Sequence, residues 1–460
     1  MGQTEKRRLP TLTADISPSP PLTLDDLPAT KFHSKLALIA AGGPFCDGYI
    51  LGIIGIALPN IVQDLHLGGG QTGLVGAAAL FGVLAGGFLG GTISDRLGRR
   101  PLFTLNIAAF VIFSLLQGLC SSLPLLIGLR FLLGVAVGAD YPIATSYVTE
   151  FMPRKLRGPV LSGLILAWWG GYTASYALGY ALSFFPNIPW QIVLASSAIP
   201  SLMLFCLRMG LPESPRWLLQ QGRQEEARTV LKTHLQTDIL PRIEAQGRLS
   251  LLQIMRSPYR GALAFVSAFW ILQSAPGFAI HTLQAQLLNQ YHVQNALLGS
   301  LYITGLTILG ILPVTLGLIN LLGRRPLLIG TFAISMIGLL LLGLSSHPAS
   351  WMIFTGFILY SVSEAAGSGL QFVYPNELFP TAIRASAVGM ACSFSRLGAA
   401  LGTFLLPMGY AHFGMQPMML IAAAFMFCGL LLGWIWAPET QNTSLGSPSS
   451  LTKSTTNRSI

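Results

Sequence analysis

Charged side chains are scarce in this sequence: Asp, Glu, Lys and Arg make up 10% of its 460 residues. Soluble domains carry about 25%, so there is too little charge here to solvate the surface of a soluble fold. The five cysteines (Cys46, Cys120, Cys206, Cys392 and Cys428) lie far apart with no CxxC pair. That spacing supports neither a disulfide framework nor a zinc site, and small packed side chains are the reading it leaves. Lys6, Arg7 and Arg8 are not followed by an apolar stretch, so the first 30 residues do not read as a cleavable signal peptide. Pro and Ser dominate Pro10 to Pro28, as in a disordered tail. G-x-S-x-G, H-E-x-x-H and Walker A motifs are all missing, which argues against an enzyme or a nucleotide-driven pump and implies no cofactor and no metal.

What the sequence has is apolar length. Hydrophobic residues make up 52% and the mean hydropathy is +0.61. Apolar runs lie at 36–60, 71–94, 102–120, 123–148, 159–184, 190–208, 261–286, 297–319, 327–346, 351–374, 386–409 and 417–437. About 18 or more apolar residues span a bilayer core as a helix. The pattern predicts an all-α membrane protein with twelve transmembrane helices.

The net charge of +10 does not point to nucleic acid, because no basic stripe is interleaved with aromatics. All of the 27 Lys and Arg except Arg130 and Arg396 fall in the tails, in loops after even-numbered runs, or at adjoining run ends. Loops after odd-numbered runs have none. By the positive-inside rule both termini are cytoplasmic. The expected organisation is a cytoplasmic tail (1–35), a six-helix bundle (36–208), and a linker with short amphipathic helices (209–260). A second six-helix bundle (261–437) and a tail (438–460) follow.

The two bundles repeat a motif pair. Asp95-Arg96-Leu97-Gly98-Arg99-Arg100-Pro101-Leu102 recurs 225 residues later as Asn320-Leu321-Leu322-Gly323-Arg324-Arg325-Pro326-Leu327. Glu150-x-x-Pro153-x-x-x-Arg157 recurs as Glu377-x-x-Pro380-x-x-x-Arg384. Such internal repeats mark secondary transporters, whose site lies at the repeat interface near mid-bilayer.

Asp95 to Arg100 resembles the loop signature of the major facilitator superfamily. Arg130-x-x-x-Gly134-x-x-x-Gly138, Pro212-Glu213-Ser214-Pro215-Arg216-Trp217, Tyr374-Pro375-Asn376-Glu377-Leu378-Phe379-Pro380 and Pro438-Glu439-Thr440 are similar to its sugar-porter branch. Asp47-Gly48-Tyr49 and Gly138-Ala139-Asp140-Tyr141-Pro142 look more like metabolite:proton and phosphate:proton symporters. Three positions depart from the patterns. Ala279 replaces the Asn of the sugar-porter seventh span, Trp168 replaces a Gln of phosphate symporters, and Asn320 breaks the second copy of the loop signature. The resemblance implies the major facilitator fold of two six-helix pseudo-repeats, in a bacterial inner-membrane metabolite transporter.

A charge at mid-bilayer costs at least about 2.5–3.5 kcal/mol on insertion scales, so it is read as functional. Asp47 and Arg130 lie at similar depth by helical rise. The resemblance pairs these positions in proton-coupled sugar porters, so Asp47 is expected to carry the proton and Arg130 to modulate it. The alternative is a static ion pair. Asp140 is expected as a second protonatable group with Tyr141 as a substrate hydrogen-bond donor, or else as the partner of a cytoplasmic-side Arg. Glu364 and Arg396 again share a depth. Arg396 presents a planar fork suited to carboxylate or phosphate, and it either binds an anionic substrate group or bridges to Glu364. Gln273, Gln284, Gln371, Trp168 and Trp169 are further cavity candidates. His281 is either a hydrogen-bonded wall residue or a proton relay.

Asp95, Arg96, Arg99, Arg100, Glu150 and Arg157, with Arg324, Arg325, Glu377 and Arg384, form an expected charge network closing an inner gate between the halves. The expected function is proton-coupled symport of a small polar metabolite, an organic acid or a sugar. A uniporter, antiporter or efflux carrier of the same superfamily is the alternative. The expected partners are substrate, proton and lipid bilayer, with no nucleic acid, and the protein is expected to act as a monomer.

Overall fold

The computed structural model describes residues 28–185, 188–240, 258–345, 348–379 and 381–440. It leaves out the side chains of residues 89–92, 94–97, 142, 146, 149, 154, 155, 157–159, 162, 372, 376 and 381–386. Every element among the described residues is helical. The spans are α1 Lys31–Asp64, α2 Gly69–Leu97, α3 Arg99–Gln117, α4 Leu123–Phe151, α5 Arg154–Leu182 and α6 Trp190–Arg208. After the linker come α7 Arg260–Thr282, α8 Ala296–Leu322, α9 Arg324–Gly343 and α10 Ser350–Ser368, which runs on as Leu370–Leu378. α11 Thr381–Phe413 and α12 Met415–Trp436 complete the set.

Among the described residues, ten of these helices are long and apolar enough to cross a membrane by length and composition. The other two, α5 and α10, are less apolar because they face inward. α5 buries Trp169, Tyr172, Ser175 and Tyr176, and α10 buries Tyr360, Ser361, Ser363 and Glu364. Large apolar side chains such as Leu105, Ile112, Leu309, Leu316 and Trp434 point outward. An exposed apolar surface of that extent suits hydrocarbon and not water.

The two halves are built alike. α1 packs on α5, α2 on α4, and α3 on α4 and α6; in the same order α7 packs on α11, α8 on α10, and α9 on α10 and α12. The motif glycines explain part of this. Gly98 and Gly323 have φ of +103° and +86° and turn the chain between consecutive spans, a conformation open to Gly and strained for other residues. In α4, Gly134 and Gly138 let the backbone of α2 approach, since a Cβ there would lie 2.0 Å from Ala79 O and 2.1 Å from Val83 O. The resulting close helix contact is the small-residue packing typical of membrane helices.

Across the halves α2 meets α11 and α5 meets α8. The contacts named at this seam lie toward the end opposite the chain termini, where Gly73 sits on Phe404 O and Gly76 on Thr403. α7 carries Pro276 and stops at Thr282, and the chain resumes as a short helix, Gln284–Gln290. The described part of the linker forms Pro215–Gln220, Gln224–Val230 and one wide turn, Leu231–Leu235. Leu231 and Leu235 are buried in the first bundle's core, and the His234 ring lies 5.1 Å from Phe32 at the base of α1.

Candidate functional site

The first half holds a buried acid–base cluster under α1. Arg208, the last residue of α6, is fully buried and donates from Nη1 to Asp140 Oδ1 at 2.9 Å. It also donates to Phe103 O at 2.8 Å, and its guanidinium carbon lies 3.4 Å from the centre of the Phe103 ring. Asn106 adds a bond from Nδ2 to Asp140 Oδ1 at 3.1 Å. α1 crosses directly over this pair at Gly43, where a Cβ would lie 2.2 Å from Asp140 Oδ2 and 2.5 Å from Arg208 Nη2. Asp140 is therefore the partner of a basic residue from the terminal end of the bundle, as the alternative reading of the sequence had it.

Asp47 lies one helical turn beyond Gly43. It is 1% exposed, and neither carboxyl oxygen has a hydrogen-bond partner among the described residues. Asp140, Arg208 and Arg396 lie within its electrostatic reach. Arg130 is as deeply buried, but it does not bond to Asp47. Its Nη1 donates to Ile50 O at 3.2 Å, and its Nε and Nη2 are unpartnered among the described residues. The expected Asp47–Arg130 ion pair is thus not formed in this conformation. Equal depth put Arg130 beside α1, but its bond falls on Ile50, three residues beyond Asp47.

The second half differs from expectation in its pairing. Glu364 Oε2 lies 3.4 Å from His281 Nε2, not against Arg396. Arg396 forms no ion pair among the described residues. Its guanidinium carbon lies 5.0 Å from the Phe278 ring and 5.5 Å from the Tyr141 ring, so both halves contribute to its surroundings. Gln371 donates to Gln273 Oε1 at 3.0 Å, and Gln273 donates to the Glu364 carbonyl at 3.0 Å. Gln284 lies past the break after Thr282 and donates to Ser300 O at 3.2 Å, so it braces the short helix to α8, while its Oε1 has no partner among the described residues.

Aromatic rings join the two sides. Trp168 stacks on Tyr172 at 5.4 Å and meets Phe278 edge-on at 6.0 Å, and Trp169 meets His281 edge-on at 5.2 Å. Tyr172 and Tyr176 donate to the His281 carbonyl at 2.6 and 3.2 Å. Buried polar atoms normally have a partner. Here Asp47, the Trp168 indole N–H, the His281 ring, Glu364 Oε2, Tyr360 and Arg396 Nε form no hydrogen bond among the described residues. They cluster where the two halves meet, an arrangement suited to a polar guest.

Residues 36–449 match the sequence model of the sugar (and other) transporter family. The chain belongs to that family. It is 38% identical over 436 residues to YaaU of Escherichia coli (strain K12), covering 94% of this chain and 98% of the relative. It is 36% identical over 426 residues to the inner membrane metabolite transport protein YgcS of the same organism, covering 92% and 95%. The fold is similar to that of the xylose transporter XylE from E. coli, with a TM-score of 0.77 at 22% identity over 90% of this chain and 100% of that one. The protein is a membrane transporter of major facilitator fold and not an enzyme.

In this transporter the motif residues sit at the end that carries the termini, and each cluster belongs to one half. Arg99 Nε bonds to Glu150 Oε1 at 3.2 Å, and Glu213 Oε1 accepts from the backbone N–H groups of Arg99 and Arg100 at 3.1 and 3.2 Å. The second half repeats this. Arg324 Nη2 bonds to Glu377 Oε1 at 2.7 Å, and Glu439 accepts from the backbone N–H groups of Arg324 and Arg325 at 3.1 and 3.0 Å. Tyr147 donates to Pro212 O and Tyr374 to Pro438 O. These ion pairs therefore brace each half internally, where the sequence reading had them clasping one half to the other. The side chains of Asp95, Arg96, Arg157 and Arg384 lie outside the described residues.

Arg208, Glu213, Glu439, Phe278 and the tyrosines of α5 are the participants that sequence reasoning missed. Glu213 and Glu439 had a signal, the Pro-Glu dipeptide closing each half. Arg208 had none, because a basic residue at the end of an apolar run looks like a topological charge.

Proposed function

We propose that this transporter couples the movement of a small polar metabolite to a proton by alternating access, with Asp47 as the proton carrier and Arg130 as its modulator. The observation behind this reading is the state of Asp47: buried, free of hydrogen bonds among the described residues, and three residues from the carbonyl that holds Arg130. A buried carboxyl on α1 and a buried guanidinium held by α1 three residues along, not bonded to each other, can pair in one conformation and part in another. Loss of such a pairing favours proton uptake by the acid, so proton binding follows the conformational cycle. XylE, which shares the fold, is described as a proton:xylose symporter.

In this reading the substrate sits between the halves. Tyr141 and Trp168 face it from the first half, and Gln273, Gln371, Glu364 and Arg396 from the second. Both termini are cytoplasmic in this reading, and the membrane is the bacterial inner membrane, the one named for YgcS. The test is transport in proteoliposomes. Asp47→Asn is expected to abolish uptake driven by a pH gradient while leaving substrate counterflow intact. Loss of counterflow as well would overturn the assignment, because a mere structural defect stops both.

A further inference from the structure

Two recognition chemistries lie side by side at the site between the halves. One is the Arg396 guanidinium, which forms no ion pair among the described residues and is walled by Tyr141 and Phe278. The other is the Glu364–His281 pair, in which Glu364 is 8% and His281 4% exposed. At 3.4 Å it is a loose contact, and Glu364 Oε2 and both His281 ring nitrogens lack hydrogen bonds among the described residues. Gly277 leaves the space that Glu364 fills, since a Cβ there would lie 3.1 Å from Oε1. Tyr360, whose hydroxyl is also unpartnered among the described residues, lies beside His281 with ring centres 6.0 Å apart.

Phe278 and His281 are three residues apart on α7, so they share a face about one helical turn, roughly 5 Å, in extent. Phe278 touches Arg396 and His281 touches Glu364. The cationic end and the hydroxyl-binding end are thus separated by the reach of a short carbon chain. A guanidinium binds a carboxylate through charge-assisted bonds. A carboxylate and an imidazole accept and donate to neighbouring hydroxyls.

We propose that the substrate is a polyhydroxylated carboxylate, of the aldonate or uronate type, with its carboxylate on Arg396 and its hydroxyls on Glu364 and His281. This rests on reading the space between the halves as the substrate site. A neutral sugar leaves the Arg396 guanidinium without a bonded anion, since Asp47 lies within its electrostatic reach but makes no hydrogen bond among the described residues, and a plain fatty acid leaves Glu364 and His281 unsatisfied.

The test is binding to the purified full-length protein in detergent, followed by intrinsic tryptophan fluorescence, to which Trp168 and Trp169 are two of eight contributors. The probes are D-gluconate, D-glucuronate, D-glucose and hexanoate. At least one of the two hydroxy acids is expected to bind roughly ten- to hundredfold more tightly than glucose and hexanoate, the usual worth of a charged hydrogen bond. Arg396→Gln is expected to erase the preference over glucose, and Glu364→Gln the preference over hexanoate. The thermal transition of each variant serves as the folding control. If either variant unfolds, its conservative counterpart, Arg396→Lys or Glu364→Asp, is expected to reduce the same preference. Glucose or hexanoate matching the hydroxy acids, both hydroxy acids failing to bind, or the preferences surviving in folded variants would each overturn the assignment. Binding in detergent requires no gradient, so a carrier without proton coupling still gives the expected result. Proton-driven uptake of a neutral sugar would leave the coupling reading standing and sink this one.

Discussion

Arg208 and Asp140 form an ion pair at 2.9 Å in which neither side chain is more than 1% exposed. Removing one member of a buried pair leaves an uncompensated charge, at a cost of about 3–5 kcal/mol. Arg208→Met is therefore expected to lower the thermal transition in detergent sharply. Asp140→Asn added to it should recover a large part of the loss, because the stranded carboxylate is gone. Equal transitions for the single and the double variant would contradict the pairing.

Gly43 provides a second test of the same place. A methyl group there would sit 2.2 Å from Asp140 Oδ2, well inside contact distance. Gly43→Ala must push α1 off the pair or break it, and overpacking of this kind costs about 1–3 kcal/mol. The expected result is a protein that still inserts but melts earlier and transports slowly. Wild-type melting and uptake would show that α1 does not cross the pair at Gly43.

Glu213 and Glu439 each cap the start of their own half's third helix, α3 and α9, by accepting two backbone N–H bonds. A carboxylate at a helix N-terminus contributes about 0.5–2 kcal/mol. Glu213→Gln and Glu439→Gln are each expected to lower stability by an amount in that range, and to do so similarly. Amide exchange at the first turns of α3 and α9 is the direct measurement. A loss at one helix only would break the proposed equivalence.

Docking of the linker onto the base of α1 is expected to depend on pH through His234. Burial, with the charge of Lys35 as a smaller cause, pulls its imidazole below the ordinary value of 6.5. The docked state thus binds the proton less tightly than the undocked one. The contribution to docking is fully present above pH 6.5 and is lost as the pH falls through the lowered value. Limited proteolysis near residues 231–240 should accelerate on going from about pH 8 to about pH 5.5, and His234→Gln should remove that dependence.

The helices were legible because a bilayer demands a run of fixed length, and because the Gly98 and Gly323 turns recur in both halves. The chemistry between helices was less legible. Rise per residue gives the depth of a side chain but not its facing. Asp47 and Arg130 were read at one level, yet Arg130 reaches Ile50 O. Glu364 and Arg396 were read at one level too, yet α7 inserts His281 beside one and Phe278 beside the other. Which carboxylate meets which base depends on the rotation of each helix, and close glycine contacts such as those of Gly43 and Gly134 set that rotation. In a single sequence such glycines look like any others.

Thr173 donates to the Thr304 carbonyl at 3.2 Å, and Tyr172 and Tyr176 donate to that of His281. All three bonds cross from α5 to the other half, and each is of a kind that water can replace one for one, with a net difference of only about 0.5–1.5 kcal/mol. A seam stitched by exchangeable hydroxyls leaves its parted and joined forms close in energy. Rocking between them then falls within the range that a bound solute or a single proton can tip.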